Sequence, residues 1–219
     1  MLFDTLGKKP TEGAEVLFDG TNLDGWVNRD GEAAEWLVKD GAMEVVPGTG
    51  AIVSQYTFRD CYLHLEFMCS DMPDATGQKK SNSGVFLQNR YEIQVLDSYG
   101  WDVPGTGDCS AIYNHHAPLA NACKPALEWQ TYDIFFRAAR FAPGRKKIEN
   151  ARVTMFHNGV LVHNNVEQWC KTSGNPPASD GWDTKPGPLL LQDHRDVLWF
   201  RNIWLEPLPE QGSSDYPPK

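Results

Sequence analysis

Apolar and polar residues alternate along most of this chain with the period of two that marks half-buried β-strands. In Tyr62-Leu63-His64-Leu65-Glu66-Phe67-Met68 the apolar set Leu63, Leu65 and Phe67 must face a core, which turns His64 and Glu66 outward. In Tyr91-Glu92-Ile93-Gln94-Val95-Leu96-Asp97, Ile93 and Val95 mark the core face and Glu92 and Gln94 share the other. Leu190 and Gln192, with His194 just beyond, form a third such run. Two hairpins are signalled by dipeptides that tolerate the positive φ of a two-residue turn. Asp40-Gly41 joins Trp36–Lys39 to Ala42–Val46, and Asn158-Gly159 joins Arg152–His157 to Val160–His163. Further strands are predicted over Cys61–Cys69, Ser83–Gln88, Tyr91–Leu96, Thr131–Arg137, Leu189–Gln192 and Val197–Glu206. No window carries capped apolar residues at helical spacing beyond two turns. The pattern predicts an all-β, two-sheet antiparallel jelly-roll sandwich of the lectin/glucanase type.

The chain has 219 residues and no internal repeat, which suits one domain. That domain is expected over residues 14–208, with residues 1–13 and 209–219 as flexible termini. Three long loops interrupt the strands, at Ser70–Ser81, Ser98–Glu128 and Glu167–Pro188, and loops of that length are often functional. A net charge of −9, with no basic run longer than Arg145-Lys146-Lys147, argues against a nucleic-acid partner. No apolar run is long enough to span a bilayer, and Met1–Pro10 has no leader-like pattern. The five cysteines contain no C-x-x-C pair. Cys61 and Cys69 are expected to be buried thiols, while one disulfide among Cys109, Cys123 and Cys170 is sterically open. His157 and His163 flank a hairpin and are expected to be solvated. Sequence leaves the oligomeric state open.

Glu66, Glu92, Gln94 and Gln192 are placed together on the outer polar face. A glycine inside a strand, Asn82-Ser83-Gly84, marks close approach of a ligand or another backbone. Tyr113-Asn114-His115-His116 lies in the longest loop, between Trp101 and Trp129. Carboxylates, amides, histidines and exposed aromatics are what a sugar site uses. No G-x-S-x-G, G-x-x-x-x-G-K or H-E-x-x-H is present, which removes several enzyme classes.

These residues also carry a resemblance. The chain resembles the bacterial 3-keto-disaccharide hydrolase family, of concanavalin-like jelly-roll fold. The matches run in order from Leu17-Phe18-Asp19-Gly20-Thr21-Asn22-Leu23-Asp24-Gly25-Trp26 through Asn82-Ser83-Gly84-Val85-Phe86-Leu87, Tyr91–Asp97, Ala111-Ile112-Tyr113, Glu128-Trp129-Gln130 and Leu191-Gln192-Asp193-His194 to Val197–Ile203. Two departures bear on local hydrogen bonding: Met68 stands where the family often has arginine, and Trp129-Gln130 replaces its Trp-Asn. The resemblance implies glycosides oxidised to a ketone at the 3-position, an exported protein, and cleavage by proton abstraction beside the ketone followed by elimination. That chemistry needs a base, an acid for the leaving oxygen, and positive charge over the enolate. Glu66 or Glu92 is the expected base, with Glu92 preferred beside Gln94 and Asp97. His194 or His116 is the expected acid. Arg201, or a divalent ion held by carboxylate and histidine, is expected to stabilise the enolate. Asn82, Gln94, Asp97, Tyr113, Trp129 and Gln192 are the expected substrate-binding residues. Three other readings are a lectin-like carbohydrate-binding module, a conventional glycoside hydrolase using Glu66 with Glu92, and a structural interaction domain.

Overall fold

A computed structural model describes residues 3–172 and 184–210. Among these residues the strands form an antiparallel β-sandwich, as the alternation predicts. In chain order they are β1 (Glu15–Phe18), β2 (Trp26–Asn28), β3 (Leu37–Lys39), β4 (Ala42–Glu44), β5 (Ile52–Phe58), β6 (Cys61–Cys69), β7 (Ser83–Leu87) and β8 (Tyr91–Val95). There follow β9 (Trp129–Arg137), β10 (Arg140–Phe141), β11 (Lys147–Glu149), β12 (Ala151–His157), β13 (Val160–Gln168), β14 (Gly187–Leu191) and β15 (Leu198–Pro207). The larger sheet has the order β13-β12-β9-β6-β15-β4-β3, with β1 also paired to β15; the smaller has the order β2-β5-β14-β7-β8. No helix among the described residues is long and apolar enough to cross a membrane.

The two signalled turns form as expected, with Asp40 and Gly41 at φ 52° and 77°, and Asn158 and Gly159 at 49° and 72°. The inner faces interdigitate through Leu63, Leu65, Phe67, Tyr132, Ile134 and Phe200 from one sheet and Val85, Ile93, Val95, Leu189 and Leu191 from the other. Each such buried side chain contributes about 1.5–3 kcal/mol over its exposed state. Tyr132 also donates a hydrogen bond across the core to Gln94 O at 2.6 Å, which ties β9 to β8.

Several expectations change. The loop from Ser98 to Glu128 is anchored to the smaller sheet, because residues 110–113 pair alongside β8. Ser110 N donates to Gln94 O, Gln94 N to Ala111 O, and Tyr113 N to Glu92 O, at 2.9, 2.9 and 3.0 Å. This segment covers the sheet edge, so His157 and His163 are buried at 0 % and 1 % exposure. Desolvation pushes their imidazoles down to about 3 and about 4. Residues before 14 also pack: Thr5 hydroxyl donates to Asp133 at 2.5 Å and Gly7 N to Glu66 at 2.6 Å. All five cysteines are free thiols. Residues 1–2, the far end of the predicted tail (211–219) and the middle of the third predicted loop (173–183) lie outside the described residues.

Candidate active site

The outer face of the smaller sheet carries a polar cavity of about 420 Å³ lined by Arg29, Gln78, Asn82, Phe86, Glu92, Gln94, Tyr113, Asn114, Thr172, Gln192 and His194. Its floor follows from strand register. Antiparallel pairing sets Phe86 opposite Glu92 and Gly84 opposite Gln94, with Val85 and Ile93 turned into the core. Gln192 is fixed beside them, since its N–H donates to Gly84 O at 2.9 Å and its carbonyl accepts from Ser83 hydroxyl at 2.7 Å. One wall is an amide relay in which Gln94 Nε2 donates to Gln78 Oε1 at 3.0 Å and Gln78 Nε2 donates to Gly107 O at 2.7 Å. Asn82 Nδ2 joins it through Gln78 O at 2.7 Å. Thr172 closes the β8 edge by accepting from Glu92 N at 2.8 Å and donating its own N–H to Arg90 O at 3.1 Å.

Glu92 is the outstanding group. It is 4 % exposed, and burial raises its carboxyl to about 7 with no opposing contribution. Gly84 explains how it fits: a Cβ built there would lie 2.5 Å from Glu92 Oε1, below any real contact. The strand glycine therefore admits a neighbouring carboxyl, where close approach of a ligand or backbone was expected.

Of the expected site residues, the cavity brings together Glu92, His194, Asn82, Gln94, Tyr113 and Gln192. Glu66, Arg201 and Trp129 lie on the opposite outer face, that of the larger sheet. There Glu66 accepts from Arg201 Nε at 2.7 Å, Asn202 Nδ2 at 2.9 Å and Gly7 N at 2.6 Å. Burial pushes Glu66 up, yet these contacts and His64 outweigh it and hold the carboxyl at about 2. Arg201 also sits 3.9 Å over the Trp129 ring. Strict alternation would send Arg201 and Asn202 to opposite faces; a register shift between Arg201 and Trp204, with Asn202 at φ 48°, lets both reach Glu66.

The remaining two residues are placed elsewhere again. His116 does not line the cavity, and its Nε2 is buried without a partner among the described residues. Asp97 pairs with Lys80 at 3.0 Å. The two departures are also off the site: Met68 pairs opposite Trp129, and Gln130 accepts from Lys124 N at 2.8 Å. A conventional pair of Glu66 and Glu92 is ruled out as one catalytic couple. Such carboxyls sit about 5–10 Å apart, whereas these project outward from two sheets that alone pack about 10 Å apart. Arg29, Gln78 and Thr172 carried no sequence signal, since each reaches the cavity through long-range packing; Phe86 and Asn114 lie in stretches the sequence singles out, without having been named as site residues. Among the described residues no three His, Cys, Asp or Glu side chains converge as a metal shell. A divalent ion beside Glu92 and His194 would depend on amide oxygens for its other contacts.

Comparison with known proteins agrees with a carbohydrate-active fold. The model of the 3-keto-alpha-glucoside-1,2-lyase-like domain matches residues 13–206. A Bacteroides thetaiotaomicron protein named 3-keto-disaccharide hydrolase is 23 % identical over 88 % of this chain and 77 % of its own. A Parabacteroides distasonis crystal structure, named provisionally as a glycosyl hydrolase, is 35 % identical over 90 % of this chain and 84 % of that one, with a TM-score of 0.82. A second from the same organism, with 21 % identity, 90 % and 95 % coverage and a TM-score of 0.63, shares the fold.

Proposed function

This chain belongs to the 3-keto-alpha-glucoside-1,2-lyase-like domain family, and we propose that it cleaves the glycosidic bond of 3-keto-glycosides by elimination, with water adding afterwards where the outcome is net hydrolysis. The observation that carries this reading is Glu92, a desolvated carboxyl held near neutrality in a sugar-sized polar cavity. A base poised at the working pH is what abstraction of a hydrogen beside a ketone requires.

The C3 ketone acidifies the hydrogen on C2. Glu92 takes that proton, and the electron pair moves onto the ketone oxygen as an enolate. Its return forms the C1–C2 double bond and breaks the bond from C1 to the leaving oxygen. His194 protonates that oxygen, so one glycoside gives one unsaturated ketosugar and one alcohol. Arg29, the arginine lining the cavity, supplies the positive charge over the enolate that was expected of Arg201. Gln192 Oε1 has no donor among the described residues, and the unsaturated amide relay offers further acceptors for sugar hydroxyls. A binding module needs no ionisable trio, and Arg29, Glu92 and His194 lining one cavity favour the enzyme.

The test is incubation with a 3-keto-disaccharide in deuterated water, with product identification by mass spectrometry. Elimination gives a product one water lighter than the ketosugar, or a ketosugar carrying deuterium at C2 once water has added. A ketosugar without deuterium would reveal direct hydrolysis and remove Glu92's role as carbon base. A parallel arm with chelator decides whether Arg29 or a divalent ion beside Glu92 and His194 carries the enolate.

A further inference from the structure

Near the cavity in the chain stands Trp169, 53 % exposed although it belongs to a residue type that usually packs inside. It does not hang free. Its ring stacks on His115 with centroids 5.0 Å apart and planes 11° from parallel. His115 is itself held from both sides of Trp169 in the chain: its Nδ1 lies 3.3 Å from Gln168 Oε1, and its Nε2 lies 3.5 Å from Cys170 Sγ. One indole face is therefore backed by a fixed imidazole, while about half of the residue stays open to solvent.

Two chain connections keep Trp169 within reach of the site. His115 directly follows Asn114, which lines the cavity. Trp169 precedes Thr172 by three residues, and Thr172 holds the Glu92 N–H. Three residues span at most about 11 Å even when fully extended. That is about the length of two joined pyranoses, so a second ring joined to one seated over Glu92 can reach it.

We propose that Trp169, backed by His115, is the platform for the leaving group of the substrate, and that it selects glycosides whose leaving group is a sugar ring or an aromatic. The proposal rests on the lyase reading of the cavity. A pyranose has an apolar C–H face that stacks on an indole while its hydroxyl edge stays in water. A platform that grips the leaving group equally before and during bond cleavage acts on KM and leaves kcat alone.

The experiment compares Trp169→Ala, Trp169→Phe and the unsubstituted protein on two substrates, a 3-keto-disaccharide and methyl 3-keto-glucoside. The alanine variant is expected to raise KM for the disaccharide about three- to tenfold, the range of one aromatic contact. Its kcat, its Tm and its kcat/KM for the methyl glycoside should stay at parental values. The phenylalanine variant should restore most of the disaccharide KM. An unchanged disaccharide KM in Trp169→Ala, with both substrates still turned over, overturns the platform and leaves the lyase reading intact. An equal loss on both substrates, or a lowered Tm, makes Trp169 structural and also overturns it. If the unsubstituted protein turns over neither substrate, the lyase reading fails and takes the platform with it.

Discussion

Replacing Glu92 with glutamine separates what the site does from what it costs the fold. The side chain is 4 % exposed, and burial lifts its carboxyl from 4.5 to about 7. A displacement of that size disfavours the ionised folded protein by about 3 kcal/mol. The folded pKa lies above the unfolded one, so the penalty is absent below pH 4.5, grows as pH rises, and is complete above about pH 7. Glutamine fills the same space without charge. The variant should therefore match its parent at about pH 4.5 and exceed it by about 3 kcal/mol at pH 8.5, a Tm gain of about 6–12 °C for a chain of this size. Turnover of a 3-keto-glycoside should fall about 10²- to 10⁴-fold. Thermal melts of both proteins across this pH range, with initial rates at each step, provide the measurement. The parent's kcat/KM should rise with pH through an apparent pKa of about 7. A Tm difference that stays constant with pH would show Glu92 titrating as an ordinary carboxylate, and its assignment as the base would fall.

Gly84→Ala introduces a Cβ 2.5 Å from Glu92 Oε1; it should destabilise the protein by about 1–3 kcal/mol and lower turnover by displacing the carboxyl, and a crystal structure with Glu92 unmoved would contradict this. Glu66→Gln leaves Arg201 and His64 without their carboxylate and should reduce stability by about 2–4 kcal/mol at neutral pH while kcat/KM is retained. Because Glu66 is held at about 2, its contribution is present above pH 4.5 and fades as pH falls toward 2, so calorimetry should find the loss shrinking in acid. Arg29→Met should lower kcat about 10- to 10³-fold with Tm unchanged, and Arg201→Met should leave kcat alone; the reverse ranking in steady-state rates would return the enolate to the other face.

Alternation was a sound guide to which residues point out of the core and no guide to which outside they reach. His64 and Glu66 on β6 and Glu92 and Gln94 on β8 show the same spacing against the same kind of apolar partners. Their separation is decided by pairing of β6 with β9 and β15, and of the β7–β8 hairpin with β14, contacts whose partners lie far apart in sequence. The turns at Asp40-Gly41 and Asn158-Gly159 were legible because positive φ is a local demand. The bulge at Arg201 and Asn202 was not, because its stabilising partners, Glu66 and Lys8 O, come from distant segments. His157 and His163 were misjudged for a related reason. Strand flanks are solvated unless something covers them, and here residues 110–113 do.

The two carboxylates sharpen what distinguishes a site from a scaffold. Glu66 is sealed beneath the segment from Thr5 to Lys8 and receives donors on both oxygens, so its charge is stabilised and its chemistry spent. Glu92 is as deeply buried, yet the strand opposite it offers the bare backbone of Gly84, and burial is the sole cause of its shift. A donor at either position would have lowered its pKa and steadied the fold. The cavity instead keeps a carboxyl that ionises against its surroundings at neutral pH, a local conflict that folding alone would not favour. Proton abstraction beside a ketone gives that conflict a use, because the same desolvation that disfavours the carboxylate makes it the stronger base.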